Sequence, residues 1–151
     1  MAFEDLYQEI ILDHYRHPRN FESLEEVSDE NLHENPTCGD SVKVDVALDE
    51  RGIIKRIRFN GRGCAISIAS ASMMTEQLAG LSVKAALGKI ATFIKILRGE
   101  EPSQTLAEWG ELACFESVMN YPLRVKCATL SWHAVSDLLL RLSRTRPADS
   151  L

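Results

Sequence analysis

The sequence predicts an α+β fold, a small antiparallel sheet packed against several helices. Three observations carry that expectation. Residues 41–60 alternate apolar and polar around one turn, the stretches before and after them repeat at helical spacing, and no linker or internal repeat divides the chain. With 151 residues, 45% apolar and 26% charged, the chain fits one compact domain spanning 1–151 with an ordinary core.

Phe3, Leu6, Tyr7, Ile10 and Ile11 fall on one stripe, with acids and glutamine between them, so residues 3–16 read as an amphipathic helix ended by Pro18. The stretch to about Pro36 has neither period and reads as an irregular surface segment. It carries Glu22, Glu25, Glu26, Asp29, Glu30 and Glu34 without a Lys or Arg, and is expected to be a solvated loop.

From Ser41, Val42, Val44, Val46 and Leu48 alternate with Ser41, Lys43, Asp45 and Ala47, the pattern of a half-buried strand. Asp49 to Gly52 supply a turn. Residues 53–60 return as the second strand of a hairpin, and Lys55 interrupts the alternation.

After Gly61 and Gly63, AISIASASMMTEQLAG is rich in small residues and reads as a closely packed helix closed by Gly80. Ser82 opens another, with Val83, Leu87, Ile90, Phe93, Ile94 and Leu97 inside and Gly99 beyond its end. Pro102 marks a break, and Leu106 to Val118 reads as a weaker helix. A long last helix follows Pro122 and runs to about Arg144, carrying Val125, Trp132, Val135, Leu138, Leu139 and Leu142 as its apolar set; residues 145–151 read as a frayed tail.

Charge and hydropathy exclude several functions. The formal charge of −5 gives no global positive field for a phosphate backbone, which disfavours nucleic-acid binding. No apolar run approaches the roughly 18 residues of a membrane span, and the opening MAFEDLYQEI is acidic, so a cytoplasmic protein is expected. Gly61-Arg62-Gly63 lacks the third glycine of a dinucleotide loop, and neither a P-loop nor Gly-x-Ser-x-Gly occurs.

The thiols keep more informative company. Cys38 lies in Pro36-Thr37-Cys38-Gly39-Asp40, where an extended backbone or a glycine turn would bring Cys38 and Asp40 to one side. Cys64 follows two glycines at a strand end, where the backbone can approach a ligand closely. Cys127 follows Arg124 and Lys126 near the start of a helix, and both the cations and the helix N-terminus favour its thiolate. Three thiolates and one carboxylate would suit tetrahedral zinc, and their softness also suits iron–sulfur chemistry. Spacing alone favours separate, inert, buried cysteines over such a site, since no Cys-x-x-Cys pair occurs. Cys114 has apolar neighbours and reads as packing. His14 and His17 read as solvated helix-end residues, His33 carries no signal, and His133 falls on a different helix face from Cys127.

Taken in order, Asn35-Pro36-Thr37-Cys38-Gly39-Asp40, then Gly61-x-Gly63-Cys64-x-Ile66-Ser67-x-Ala69-Ser70-x-Ser72-Met73-Met74, then Arg124-x-Lys126-Cys127-Ala128-x-Leu130-x-Trp132 resemble the U-type iron–sulfur assembly proteins. That family includes IscU and the N-terminal domain of NifU. The likeness extends to the Leu6-Tyr7 helix and to Asp13-His14-Tyr15 with Pro18-Arg19-Asn20. Within the family the chain is most similar to the SufU branch, because Lys126 stands where IscU-like members carry a His and residues 99–121 look like a SufU-type insertion.

The resemblance implies a metal site of Cys38, Asp40, Cys64 and Cys127 holding zinc, with Cys114 outside it. It implies a sulfurtransferase-like acceptor and carrier of persulfide sulfur rather than a conventional turnover enzyme. The partner would be a SufS-type cysteine desulfurase, with downstream assembly or apo iron–sulfur proteins as recipients. Cys38 would accept the sulfur, with Cys127 as the alternative acceptor, and Lys126 and Arg124 would stabilise the thiolate or persulfide. Two other functions stay open: a scaffold on which the same residues carry iron or a transient [2Fe-2S] cluster, and a structural zinc domain that only mediates contacts.

Overall fold

The structure is a computed structural model and describes residues 3–37 and 39–145. Its elements are α1 (Phe3–Arg16), β1 (Leu32–Asn35), β2 (Asp40–Leu48), β3 (Ile54–Arg62), α2 (Ala65–Leu78), α3 (Val83–Leu97), α4 (Gln104–Ala107) and α5 (Pro122–Thr145), with 3-10 turns at Asp29–Asn31 and Gly110–Val118. The expected α+β architecture is present as an antiparallel sheet in the order β1-β2-β3. The tail expected at 145–151 lies, from residue 146 on, outside the described residues.

Alternation sets the faces of the sheet. Val42, Val44, Ile57 and Phe59 are buried beneath the helices, whereas Lys43, Asp45 and Arg58 lie on the opposite face. The interruption at Lys55 is a β-bulge: Ala47 pairs with Arg56 and Leu48 with Ile54, so Lys55 is the extra residue. Asp49 closes the turn by accepting the backbone N–H groups of Arg51 and Ile53 at 2.8 and 3.0 Å.

The helix α2 is buried along Ser67–Thr75 on every side, because small side chains let α1, α5 and β3 approach it together. Its hydroxyls find partners: Ser70 Oγ donates to the Ala128 carbonyl and accepts Trp132 Nε1–H at 2.9 Å. Trp132 in turn stacks on Phe93 with centroids 4.0 Å apart, which ties α3 to α5. Ser82 caps α3 by accepting the Ala85 N–H at 3.1 Å.

Four expectations need correction. The segment before Pro36 is not wholly irregular, since Leu32–Asn35 pairs with Asp40–Lys43 as β1; four residues are too few to show a period. Nor is the acidic stretch simply solvated. Glu22 N–H donates to the Phe59 carbonyl, Glu22 pairs with Arg56 and Arg58, Glu26 with Arg58, Asp29 with Lys43 and Glu30 with Arg141. The cations that this segment lacks stand on the sheet face and on α5. Leu106–Val118 is not one helix, because α4 ends at Ala107 and Gly110, at φ +60°, opens the 3-10 turn. Finally, His14 is fully buried rather than solvated, since it lies on the stripe of Tyr7 and Ile11 that α1 packs against α2.

Candidate metal centre

Asp40 is the first residue of β2 and pairs across the sheet with Asn35, the last residue of β1. Gly39 before it takes φ +74°, a conformation that glycine reaches without steric cost, and its N–H donates to the Asn35 carbonyl at 2.8 Å. The chain therefore turns sharply into β2 and carries the Asp40 carboxylate inward, where only 2% of the residue is exposed.

Cys64 arrives from the opposite direction, at the junction of β3 and α2. Its backbone is extended (φ −71°, ψ 170°) and it occupies the N-cap position of α2 without a side-chain capping bond. Two glycines make the junction possible. A Cβ on Gly61 would lie 2.2 Å from the Ser41 carbonyl oxygen, and one on Gly63 would lie 2.5 Å from Asp40 Oδ1. The expected close backbone approach at these glycines thus brings together β3 and the Asp40 carboxylate. Asp40 Oδ1 accepts the Cys64 N–H at 3.1 Å, and Oδ2 lies 3.9 Å from Cys64 Sγ.

Cys127 comes from α5, one residue before Ala128, whose carbonyl is bonded to Ser70 of α2. That anchor fixes the start of α5 against α2 and holds Cys127 at 6% exposure, whereas Cys64 is open to solvent. One donor atom each from Asp40, Cys64 and Cys127 lies within 4.8 Å of the others. Donors held about 2.0–2.3 Å from one ion are less than twice that distance apart, so side-chain adjustments would be needed to bring these three onto a single zinc. Two sulfurs and a carboxylate oxygen also match zinc in chemistry. Cys38, the fourth residue of the expected set, lies outside the described residues.

The remaining candidates fall elsewhere. Lys126 lines a cavity of about 480 Å³ with Pro36, Leu97 and His133, while the Arg124 guanidinium lies over the Tyr121 ring at 4.6 Å. Both cations flank Cys127 in sequence but open onto different hollows. Cys114 is fully buried in the 3-10 turn, outside the cluster of Asp40, Cys64 and Cys127, and burial pushes its thiol pKa well up. His33 pairs with Asp137 at 3.3 Å and joins β1 to α5. His133 is half-buried, and burial together with Arg98 pushes its pKa below the usual imidazole value. Sequence reading missed the buried His14, whose position three residues after Ile11 was the available signal.

A family model described as "NifU-like N terminal domain" matches residues 6–128. The chain is 40% identical over 134 residues to the zinc-dependent sulfurtransferase SufU of Bacillus subtilis, covering 87% of this chain and 88% of that one. It is 39% identical over 137 residues to the iron-sulfur cluster assembly scaffold protein IscU of Streptococcus pyogenes, covering 90% and 84%. The crystal structure of FiSufU from the thermophilic Fervidobacterium islandicum AW-1 superposes with a TM-score of 0.74 at 30% identity, over 90% of this chain and 98% of that one.

Proposed function

Because the chain belongs to the NifU-like N-terminal domain family, we propose that it serves iron–sulfur cluster assembly as a zinc-dependent acceptor and carrier of persulfide sulfur from a cysteine desulfurase. One observation carries this reading: thiols from two distant elements and a buried carboxylate meet within 4.8 Å. The similarity to a relative named for zinc-dependent sulfur transfer supports it.

Asp40, Cys64 and Cys127, with Cys38 as the fourth donor, would hold the ion. Bound zinc would keep the coordinating thiols deprotonated. Asp40 is the hard donor of the set, and its bond to the Cys64 N–H fixes where Cys64 enters. Transfer is a thiol–disulfide type displacement: a thiolate of this chain attacks the outer sulfur of the desulfurase persulfide, a new S–S bond forms, and the desulfurase cysteine leaves as thiolate. Cys38 is the proposed acceptor, as the SufU-like resemblance implies, and Cys127, the alternative, is buried. Lys126 and Arg124, next to Cys127 in sequence, would supply positive charge that favours an anionic persulfide should Cys127 be the acceptor. The segment 99–121, which forms α4 and the second 3-10 turn, is read as an insertion within a single domain spanning the chain.

A scaffold carrying a [2Fe-2S] cluster is the second reading, favoured by the relatives named IscU. Against it, no histidine joins the thiol cluster among the described residues. Among those residues no helix is long and apolar enough to cross a membrane, and the setting proposed for this thiol chemistry is the reducing cytoplasm.

Alanine release by a cysteine desulfurase tests the proposal. Adding the zinc-loaded chain should accelerate release, and adding the Cys64→Ala chain should not. A stable visible chromophore after reconstitution with iron and sulfide, without acceleration, supports the scaffold. Neither response leaves a structural zinc domain.

A further inference from the structure

A second cluster of metal-binding side chains lies farther along α2. His14 on α1, Glu76 on α2 and Glu111 in the 3-10 turn offer one donor atom each, all within 4.8 Å of one another. Glu76 stands twelve residues after Cys64, which is about 18 Å along a helix, too far for the two clusters to share an ion.

The histidine makes this more than a pair of surface acids. Its ring is fully buried, and each nitrogen has an assigned direction: Nδ1 lies 2.7 Å from Ser72 Oγ, and Nε2 lies 3.3 Å from Glu111 Oε1. Ser72 Oγ also accepts the Arg19 backbone N–H at 2.9 Å. A hydroxyl oxygen has two lone pairs, so Ser72 can accept from both Arg19 N–H and Nδ1–H. In that tautomer the Nε2 lone pair would face the carboxylates; in the other, Nε2–H donates to Glu111, and a bound cation would take the place of that proton. A ring held through one nitrogen by a hydrogen-bond acceptor while the other meets an ion is how ligating histidines are oriented. The Arg19 guanidinium bonds Asp13 at 2.7 Å and the His17 carbonyl at 3.0 Å, and its charge also acts on Glu76 and Glu111, so a bound cation would share the two carboxylates with it.

We propose that His14 Nε2, Glu76 and Glu111 form a second divalent-cation site, separate from the thiol site. One nitrogen and two carboxylate oxygens suit manganese(II), iron(II) or zinc rather than a soft ion. The exposed glutamates leave the outer side open to water, as expected for an exchangeable ion. Because Glu111 belongs to the 99–121 segment, a bound ion would fasten that segment to α1 and α2. The inference stands on this geometry and does not depend on the sulfur-transfer reading.

Manganese(II) is the probe, because thiolate sites hold it poorly. It is added at submillimolar concentration to the full chain loaded with one equivalent of zinc, which the thiol site takes first, and free manganese is followed by electron paramagnetic resonance. The wild-type chain should take up one equivalent. Glu76→Gln and Glu111→Gln should each weaken uptake by about tenfold or more while zinc content stays unchanged. Both positions are exposed, so the variants should fold normally. Absent uptake by the wild type, or unchanged uptake in either variant, overturns the site.

Discussion

The carboxylate of Asp40 accepts the backbone N–H of Cys64 at 3.1 Å, tying the first residue of β2 to the residue that opens α2. A hairpin and a helix start thereby meet at one corner, the proposed metal site. Gly63 is the residue that permits the approach, because a methyl group there would stand 2.5 Å from Asp40 Oδ1. Gly63→Ala should therefore displace the carboxylate and weaken zinc binding by about tenfold or more. Competition with a chromogenic chelator measures the affinity. Wild-type affinity in a folded Gly63→Ala chain would show that Asp40 is not placed by this contact.

Asp40 is the hard donor among sulfurs, and it also satisfies a backbone donor. Asp40→Ala should keep part of the metal on the thiols yet change the rate of sulfur transfer. Zinc content and desulfurase-coupled alanine release, measured on one sample, check both halves. Unchanged transfer would remove the carboxylate from the proposed chemistry.

The separation of Cys64 from Cys127 is governed by packing between α2 and α5. Ser70 is central there, since it bonds both the Ala128 carbonyl and Trp132 Nε1. Ser70→Ala leaves those two buried groups without this partner and should cost about 1–3 kcal/mol. Urea denaturation should show a lower midpoint at an unchanged slope; a wild-type midpoint would mean that the hydroxyl contributes nothing.

His133 gives an expected pH dependence. Burial and Arg98 depress its folded pKa below the ordinary 6.5, with His33 adding to the effect and Asp137 opposing it. As pH falls through 6.5 the unfolded chain takes up the proton first, so stability declines until the folded pKa is passed and the loss levels off. His133→Asn removes this contribution. Its urea midpoint should fall less than the wild type's between neutral pH and the acid side of 6.5, and parallel falls would exclude the residue.

Much of the fold was readable because periodicity reports burial directly. The alternation of Val42, Val44 and Val46 marked β2, Lys55 marked its bulge with β3, and Ser82 with Gly99 bounded α3. What escaped was non-local. Four residues cannot show a period, so β1 is defined only by its pairing with β2. The acids from Glu22 to Glu30 acquire partners from residues as distant as Arg141. His14 looked like a solvated helix end until α2 supplied Ser72. The meeting of Asp40, Cys64 and Cys127 was legible through the family resemblance that the ordered motifs carry, whereas the thiol spacings alone favoured separate, inert cysteines.

Zinc per chain, measured on the wild type and the four single cysteine-to-alanine variants, tests the central claim most directly. One zinc per wild-type chain is expected, with loss in Cys38→Ala, Cys64→Ala and Cys127→Ala and retention in Cys114→Ala, whose buried thiol lies apart from the cluster. Full retention in Cys127→Ala would contradict the account, because the buried sulfur from α5 would then have no part in holding the ion.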